Sequence, residues 1–153
     1  MPDIHETAPD FTLPRDGGTE VTLSALRPAP VVLFFYPRDD TSGCTKEAVA
    51  FTGLSDEFRV AGATVLGISK DTVAKHEKFR DKHALGVPLL SDAEGDVCET
   101  YGVWKEKKMY GKTFMGIERS TFLIDGDGRI ARVWPKVKVP GHAEEVLEAV
   151  KAL

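Results

Sequence analysis

Apolar residues along the chain form two kinds of block, short continuous runs and longer segments with helical spacing. The continuous runs, which predict buried strands, lie at residues 31–36, 64–69, 87–90 and 120–124. Helical spacing lies at residues 42 to about 60, 71 to about 84 with Asp71 as N-cap, 94–101 and 143–153. This alternation predicts an α/β fold with a mixed sheet that is covered on both faces.

Two stretches have the pattern of β-hairpins. Residues 11–13 and 20–23 flank a turn-rich segment and predict a hairpin before the first buried strand. Residues 120–124 and 129–133 predict a second hairpin across Asp-Gly-Asp-Gly at 125–128, where the spacing does not suit a calcium loop. The charged run at 105–108 predicts a solvated loop.

Composition narrows the class of protein. The 153 residues, 42% hydrophobic and 29% charged, predict one globular domain over residues 1–153. A net charge of −4 without a dense basic block argues against a nucleic-acid partner. The N-terminal residues lack the pattern of a signal peptide, and the longest apolar run is too short to span a bilayer. We therefore expect a cytoplasmic protein with no membrane partner.

Cys44 is the strongest candidate for chemistry. It follows the apolar run 31–36 and the segment Pro-Arg-Asp-Asp-Thr-Ser-Gly, and it lies in the first turn of a predicted helix. Backbone N–H groups at a helix start are unpaired, and the helix dipole favours negative charge there. A cysteine in this position loses its proton more readily, and the thiolate is the nucleophile. The alternative is an inert thiol in the core.

The spacing Pro37-x-x-x-Thr41-x-x-Cys44 resembles the active-site signature of peroxiredoxins. The wider sequence from residue 35 to 47 is similar to the peroxiredoxin Q, or bacterioferritin comigratory protein, subfamily. The resemblance continues, in the same order along the chain, at residues 8–14, 66–69, 90–92, 101–104 and 119–125. It implies a thioredoxin-like fold with a mixed central sheet, helices on both faces and an N-terminal β-hairpin extension.

The resemblance also implies a thiol peroxidase that needs no cofactor and no metal. Cys44 would attack a peroxide oxygen and become a sulfenic acid. Thr41 would orient the sulfur and the peroxide, unless its hydroxyl serves as a helix cap, and Pro37 would shield the site. Arg119 matches the arginine that completes such sites and would stabilise the thiolate. Glu47 would support the arginine, or it is an ordinary surface glutamate.

A departure from the family concerns the second cysteine. Many relatives carry a resolving cysteine five residues after the first, where this chain has Val49, and others carry one in the following helix, residues 72–84, which has none. The remaining candidate is Cys98, beside Val97 and Tyr101. Two interpretations stay open: a packed core thiol, or a resolving cysteine that reaches Cys44 by local unfolding.

The expected partners are hydrogen peroxide or a small organic hydroperoxide, and thioredoxin, glutaredoxin or a low-molecular-weight thiol as reductant. We expect a monomer or a weak homodimer. A disulfide reductase is disfavoured because the chain has no Cys-x-x-Cys. A redox sensor or holdase switched by oxidation of Cys44 is the other alternative. His76 and His83 could share a helix face, but two histidines without a third ligand are weak support for zinc.

Overall fold

The computed structural model describes residues 1–153. Its strands are β1 (Thr12–Pro14), β2 (Glu20–Thr22), β3 (Val31–Phe35), β4 (Thr64–Ser69), β5 (Leu89–Ser91), β6 (Trp104–Met109), β7 (Lys112–Ile117), β8 (Ser120–Ile124) and β9 (Ile130–Trp134). Its helices are α1 (Ser42–Gly53), α2 (Ser55–Val60), α3 (Val73–His83), α4 (Val97–Thr100) and α5 (His142–Lys151), with a 3₁₀ helix at Leu23–Leu26.

Five strands form the central sheet in the order β5-β4-β3-β8-β9. Strand β3 pairs in parallel with β4, and β4 with β5, while β3 pairs antiparallel with β8, and β8 with β9. Every residue of the central strand β3 is buried, as a continuous apolar run predicts for a strand covered on both faces. The predicted mixed sheet is confirmed.

The sheet separates two hydrophobic layers. Alternate side chains of β3 point to opposite faces, so Phe34 joins the layer under α1, α2, α3 and α5, whereas Phe35 joins the layer under β1, the 3₁₀ helix and α4. Strands β1 and β2 form the predicted N-terminal hairpin. The expected arrangement of helices on both faces with a hairpin extension is therefore confirmed, although the longer helices all lie on one face.

Several predicted boundaries differ from the structure. The helix predicted over residues 42–60 breaks at Leu54, whose φ of −104° and ψ of 9° are not helical, and continues as α2. Thr72, rather than Asp71, caps α3, because the Thr72 side chain accepts a hydrogen bond from the Lys75 N–H. Only Val97–Thr100 is helical within the predicted helix at 94–101.

The solvated loop predicted at residues 105–108 is wrong. These residues lie in β6, which pairs antiparallel with β7 as a separate two-stranded sheet. The turn between them is formed by Tyr110 and Gly111, whose φ values of 53° and 74° suit a tight hairpin turn. None of the helices has both the length and the apolar character needed to cross a membrane.

Candidate active site

Cys44 lies where the central strand passes through a loop into a helix. It is the third residue of α1 and only 1% exposed. Thr41 occupies the N-cap position, but its hydroxyl donates to the Arg38 carbonyl at 2.9 Å instead of capping the helix. The oxygen lone pairs of that hydroxyl therefore stay available as acceptors. The first N–H groups of α1 also have no side-chain cap, and no acidic residue lies in the first turn, so the positive end of the helix that contains Cys44 is not neutralised there.

Arg119 connects this helix start to β8, the antiparallel neighbour of the central strand β3. It lies between β7 and β8, and its Nη2 donates to Cys44 Sγ at 3.3 Å. Burial opposes its charge, but Glu47 and Cys44 outweigh burial and raise the pKa of Arg119, so the guanidinium stays charged. Gly43 permits this approach, because a Cβ at that position would lie 3.1 Å from Arg119 Nη2.

Glu47 lies one turn after Cys44 and is not a surface residue. It is 1% exposed, and its Oε1 accepts from Arg119 Nη1 at 2.8 Å. Its Oε2 is buried and has no hydrogen-bond partner in the protein. Burial raises the pKa of Glu47 to about 7, with Arg119 opposing the shift. Arg119 thus contacts both Cys44 and Glu47 through different nitrogens.

The loop before Cys44 is held by a buried hydrogen-bond network that the sequence analysis missed. Asp39 accepts from the Tyr36 hydroxyl at 2.6 Å and lies 2.6 Å from His76 Nδ1. The other nitrogen of His76 is 2.9 Å from the Leu90 carbonyl. Burial and the Asp39 carboxylate raise the pKa of Tyr36, so the phenol keeps its proton and donates it. This network ties the loop before Cys44 to α3 and β5.

The neighbouring residue, Asp40, makes a second connection to α3. Its φ of 58° is in the left-handed region, and its carboxylate lies 2.7 Å from Lys82 Nζ and 2.9 Å from His83 Nε2. The two histidines of α3 therefore bind consecutive aspartates of the loop. Two consecutive aspartates, Asp39 and Asp40, are the sequence feature behind these contacts. The contacts could not be predicted from it, because the partner residues are distant in the chain.

The other predicted site residues are more peripheral. Pro37 is half-buried in the bend between β3 and α1. Val49, in the position of the nearest resolving cysteine, is 46% exposed on α1. Lys107 of β6 is a neighbour that the sequence analysis did not single out. Burial, and then the charge of Arg119, lower the pKa of Lys107, while Cys44 opposes the shift.

Cys98 lies in the other half of the molecule. Its thiol is free and 0% exposed, and it belongs to the hydrophobic layer opposite to that of Cys44. The carboxylate of Asp92 accepts from the N–H groups of Val97 and Cys98 at 3.2 Å and 2.8 Å. Burial, and then Asp92, raise the pKa of the Cys98 thiol. The structure therefore does not bring Cys98 to the other site residues.

Known proteins with similar sequences cover nearly the whole chain. The AhpC/TSA family matches residues 4–133. A putative peroxiredoxin bcp of Coxiella burnetii is 51% identical over 145 residues, which cover 95% of this chain and 96% of that protein. Peroxiredoxin Bcp of Bacillus subtilis is 46% identical over 149 residues, covering 97% of this chain and 95% of that protein.

Solved structures agree with these sequence matches. A structure of Xanthomonas campestris bacterioferritin comigratory protein, from work on its alkyl peroxide reduction activity, has a TM-score of 0.88 at 46% identity, covering 93% of this chain and 90% of that one. A mutant of Xylella fastidiosa peroxiredoxin Q has a TM-score of 0.93 at 44% identity, covering 98% and 96%. The predicted thioredoxin-like fold and family resemblance are confirmed, and the chain belongs to the AhpC/TSA family, among the peroxiredoxins of the bacterioferritin comigratory protein and peroxiredoxin Q group.

Proposed function

We propose that this chain is a thiol-dependent peroxidase that reduces hydrogen peroxide and small organic hydroperoxides at Cys44. One observation carries the proposal: the Cys44 sulfur lies at an uncapped helix start, 3.3 Å from a charged guanidinium nitrogen of Arg119. Both the helix dipole and the arginine stabilise negative charge on sulfur. The names of the relatives support the same activity.

The reaction is an in-line attack of the Cys44 thiolate on one peroxide oxygen. The S–O bond forms as the O–O bond breaks, giving a sulfenic acid and an oxyanion that takes a proton to become water or an alcohol. Arg119 stabilises the charge that develops on the departing oxygen, without losing its own. Thr41 offers its free lone pairs to the peroxide proton, and Pro37 shields the sulfur from stray water.

The sulfenic acid is then resolved by a thiol from outside the chain. Val49 has no thiol, and Cys98 lies on the opposite side of the central sheet from Cys44. We therefore assign a one-cysteine cycle, in which thioredoxin, glutaredoxin or a low-molecular-weight thiol attacks Cys44 directly. All the residues with assigned roles lie around one sheet, which fits a single domain over residues 1–153. We further propose a cytoplasmic enzyme that is a monomer or a weak homodimer.

The test is peroxide consumption with catalytic thioredoxin, thioredoxin reductase and NADPH, or with glutathione or another small thiol. A peroxidase consumes many equivalents of peroxide per chain. A redox sensor or holdase would stop after one equivalent, and that outcome would overturn the proposal.

The one-cysteine cycle needs a separate experiment. After one equivalent of peroxide, a non-reducing peptide map should show Cys44 as sulfenic acid and no link to Cys98. Cys98→Ser should keep most of its turnover with a small thiol, and the reductant should be trapped as a mixed disulfide on Cys44. A Cys44–Cys98 disulfide, together with a Cys98→Ser protein that stalls after one turnover, would instead define an atypical two-cysteine enzyme.

A further inference from the structure

Glu47 has a contact pattern that the peroxidase cycle above does not explain. Its side chain is 1% exposed, and one carboxyl oxygen accepts from Arg119 Nη1 at 2.8 Å. The second oxygen is buried without a hydrogen-bond partner in the protein. An ionised carboxylate has about four acceptor positions to satisfy, and a buried charge that is only partly paired is costly. The site therefore suits a carboxyl group that is neutral for part of the cycle.

The charges around Arg119 lead to the same conclusion. Its two terminal nitrogens contact two acids, Cys44 Sγ at 3.3 Å and Glu47 Oε1 at 2.8 Å. One guanidinium neutralises one anion, so ionising both acids would leave a buried net negative charge. Like charges in one buried site disfavour ionisation of both groups at once. A thiolate at Cys44 therefore favours a protonated Glu47.

The other ionisable groups near this site do not supply a second contacting cation. On the side of the β6–β7 hairpin, the charges of Arg119 and Glu118 act on Lys107 of β6. On the α5 side, burial lowers the pKa of His142 to about 4, despite the opposing charges of Glu145 and Glu144, so its imidazole is neutral near pH 7. The one ion-pair partner that contacts Glu47 is Arg119.

We propose that Glu47 is a positioning residue that holds a proton while Cys44 is a thiolate and releases it when Cys44 becomes a sulfenic acid. The inference rests on the proposed peroxidase function. In the first step, Cys44–S⁻, Glu47–COOH and ROOH give Cys44–SOH, Glu47–COO⁻ and ROH. Sulfur loses two electrons to the peroxide, and the proton lost by Glu47 balances the one taken up by the leaving oxygen. Arg119 keeps one anionic partner in both states.

The pKa of Glu47 supports this assignment, because burial raises it to about 7. A carboxyl group with this pKa is protonated or ionised near neutral pH according to the charge beside it. The loss of the negative charge on Cys44 can therefore change the protonation state of Glu47 near neutral pH. An ordinary surface carboxyl would be ionised in both redox states.

Infrared difference spectroscopy tests the proposal directly. Reduced wild-type protein slightly above pH 7 is treated with one equivalent of hydrogen peroxide, and the oxidised-minus-reduced spectrum is recorded. We expect the loss of one protonated carboxyl C=O band per chain and the gain of a carboxylate band. ¹³C-labelling of glutamate should shift both bands. Mass spectrometry of the same sample measures how much Cys44 has become sulfenic acid.

Two variants complete the design. Glu47→Gln should lack the difference bands, whereas Glu57→Gln, a change at an exposed glutamate of α2, should keep them. No carboxyl change in wild type although Cys44 is oxidised would overturn the inference and leave the peroxidase proposal standing, and so would bands that persist in Glu47→Gln. If Cys44 does not oxidise at all, the peroxidase proposal fails and the inference fails with it. The wild-type spectrum decides the question even if a variant does not fold.

Discussion

The two cysteines of this chain are both buried near the start of a helix, yet their surroundings are electrostatically opposite. Cys44 lies in the first turn of the twelve-residue α1, where no side chain caps the N–H groups and Arg119 contacts the sulfur. Cys98 lies in the four-residue α4, where the Asp92 carboxylate occupies the N–H groups of the first turn.

This difference teaches that burial alone does not decide the reactivity of a cysteine. A cation and open N–H groups favour thiolate, whereas a carboxylate beside the thiol disfavours it. Asp92 also raises the pKa of Cys98 beyond the effect of burial. The chain thus contains one sulfur in a site suited to nucleophilic attack and one in a site suited to packing.

The largest expected effect comes from removing each thiol in turn. Cys44→Ser should abolish peroxidase turnover while the fold is retained, because an alcohol at this position does not ionise near neutral pH. Cys98→Ser, the matched control, should keep most of the turnover. Steady-state peroxide consumption and circular dichroism measure both. Substantial turnover by Cys44→Ser would contradict the proposal that Cys44, and not Cys98, is the reactive thiol.

The second test removes the cation from the Cys44 side. Arg119→Met should slow sulfenic acid formation about a hundredfold or more, a few kcal/mol of transition-state stabilisation. Stopped-flow mixing with peroxide measures the rate. Arg59→Met, which changes an exposed arginine in α2, serves as the control and should react like wild type. Equal rates for Arg119→Met and the control would place Arg119 outside the catalytic machinery.

The third test removes the anion from the Cys98 side. Asp92→Asn should lower the free energy of unfolding by about 2 kcal/mol, because the charge-assisted hydrogen bonds at the start of α4 weaken. It should also speed alkylation of Cys98, since a negative charge beside the thiol is lost. Urea unfolding and peptide-resolved iodoacetamide labelling measure these effects. Asp96→Asn, at a nearby exposed aspartate, should change neither quantity.

The smallest expected effect is a pH dependence of the free energy of unfolding. It comes from His142, which lies on the Cys44 side of the sheet. Burial lowers the pKa of His142 from 6.5 to about 4, so the folded chain binds fewer protons than the unfolded chain between these values. Stability should therefore fall as the pH decreases from 6.5 toward 4. His142→Gln should reduce this slope, and His5→Gln, at an exposed histidine, should not. Urea titrations across the range measure the slope.

Glu47 should make the free energy of unfolding depend on pH in the opposite direction. Its pKa rises from 4.5 to about 7 in the folded chain, so the folded state binds more protons and stability falls as the pH rises through this window. Glu47→Gln should remove that decrease. A decrease in Glu47→Gln that is as steep as in wild type, or steeper, would contradict the raised pKa.

The sequence predicted the parts of the fold that depend on local pattern. The apolar run ending at Tyr36 predicted the central strand, because a strand buried on both faces needs apolar side chains at every position. The hairpin of β6 and β7 was missed for the opposite reason. Most side chains of these two strands are exposed, including Lys105 and Lys108, so the sequence of the hairpin has no alternation of apolar and polar residues. Pairing across the Tyr110-Gly111 turn fixes this hairpin instead.

The candidate site was predicted where its residues are close in the chain. Thr41 and Cys44 share one short motif, but Arg119 and Glu47 are 72 positions apart. Family resemblance, and not spacing, suggested that pair. Nothing in the sequence indicated that Glu47 would be buried with one oxygen unpaired, because a glutamate near a helix start is ordinarily solvated. The contact between Asp39 and His76 likewise depends on how α3 packs against the loop.

The sheet that separates the two thiols also bears on the working life of the protein. On the proposed cycle, a sulfenic acid at Cys44 has no thiol of its own chain with which to close a disulfide. A second peroxide can then oxidise it to sulfinic acid, from which most proteins do not recover. Survival therefore becomes a competition between external thiol and peroxide for the same sulfur. Inactivation should track the ratio of their concentrations, so the fraction of hyperoxidised chains would record how far the peroxide supply has exceeded the thiol supply.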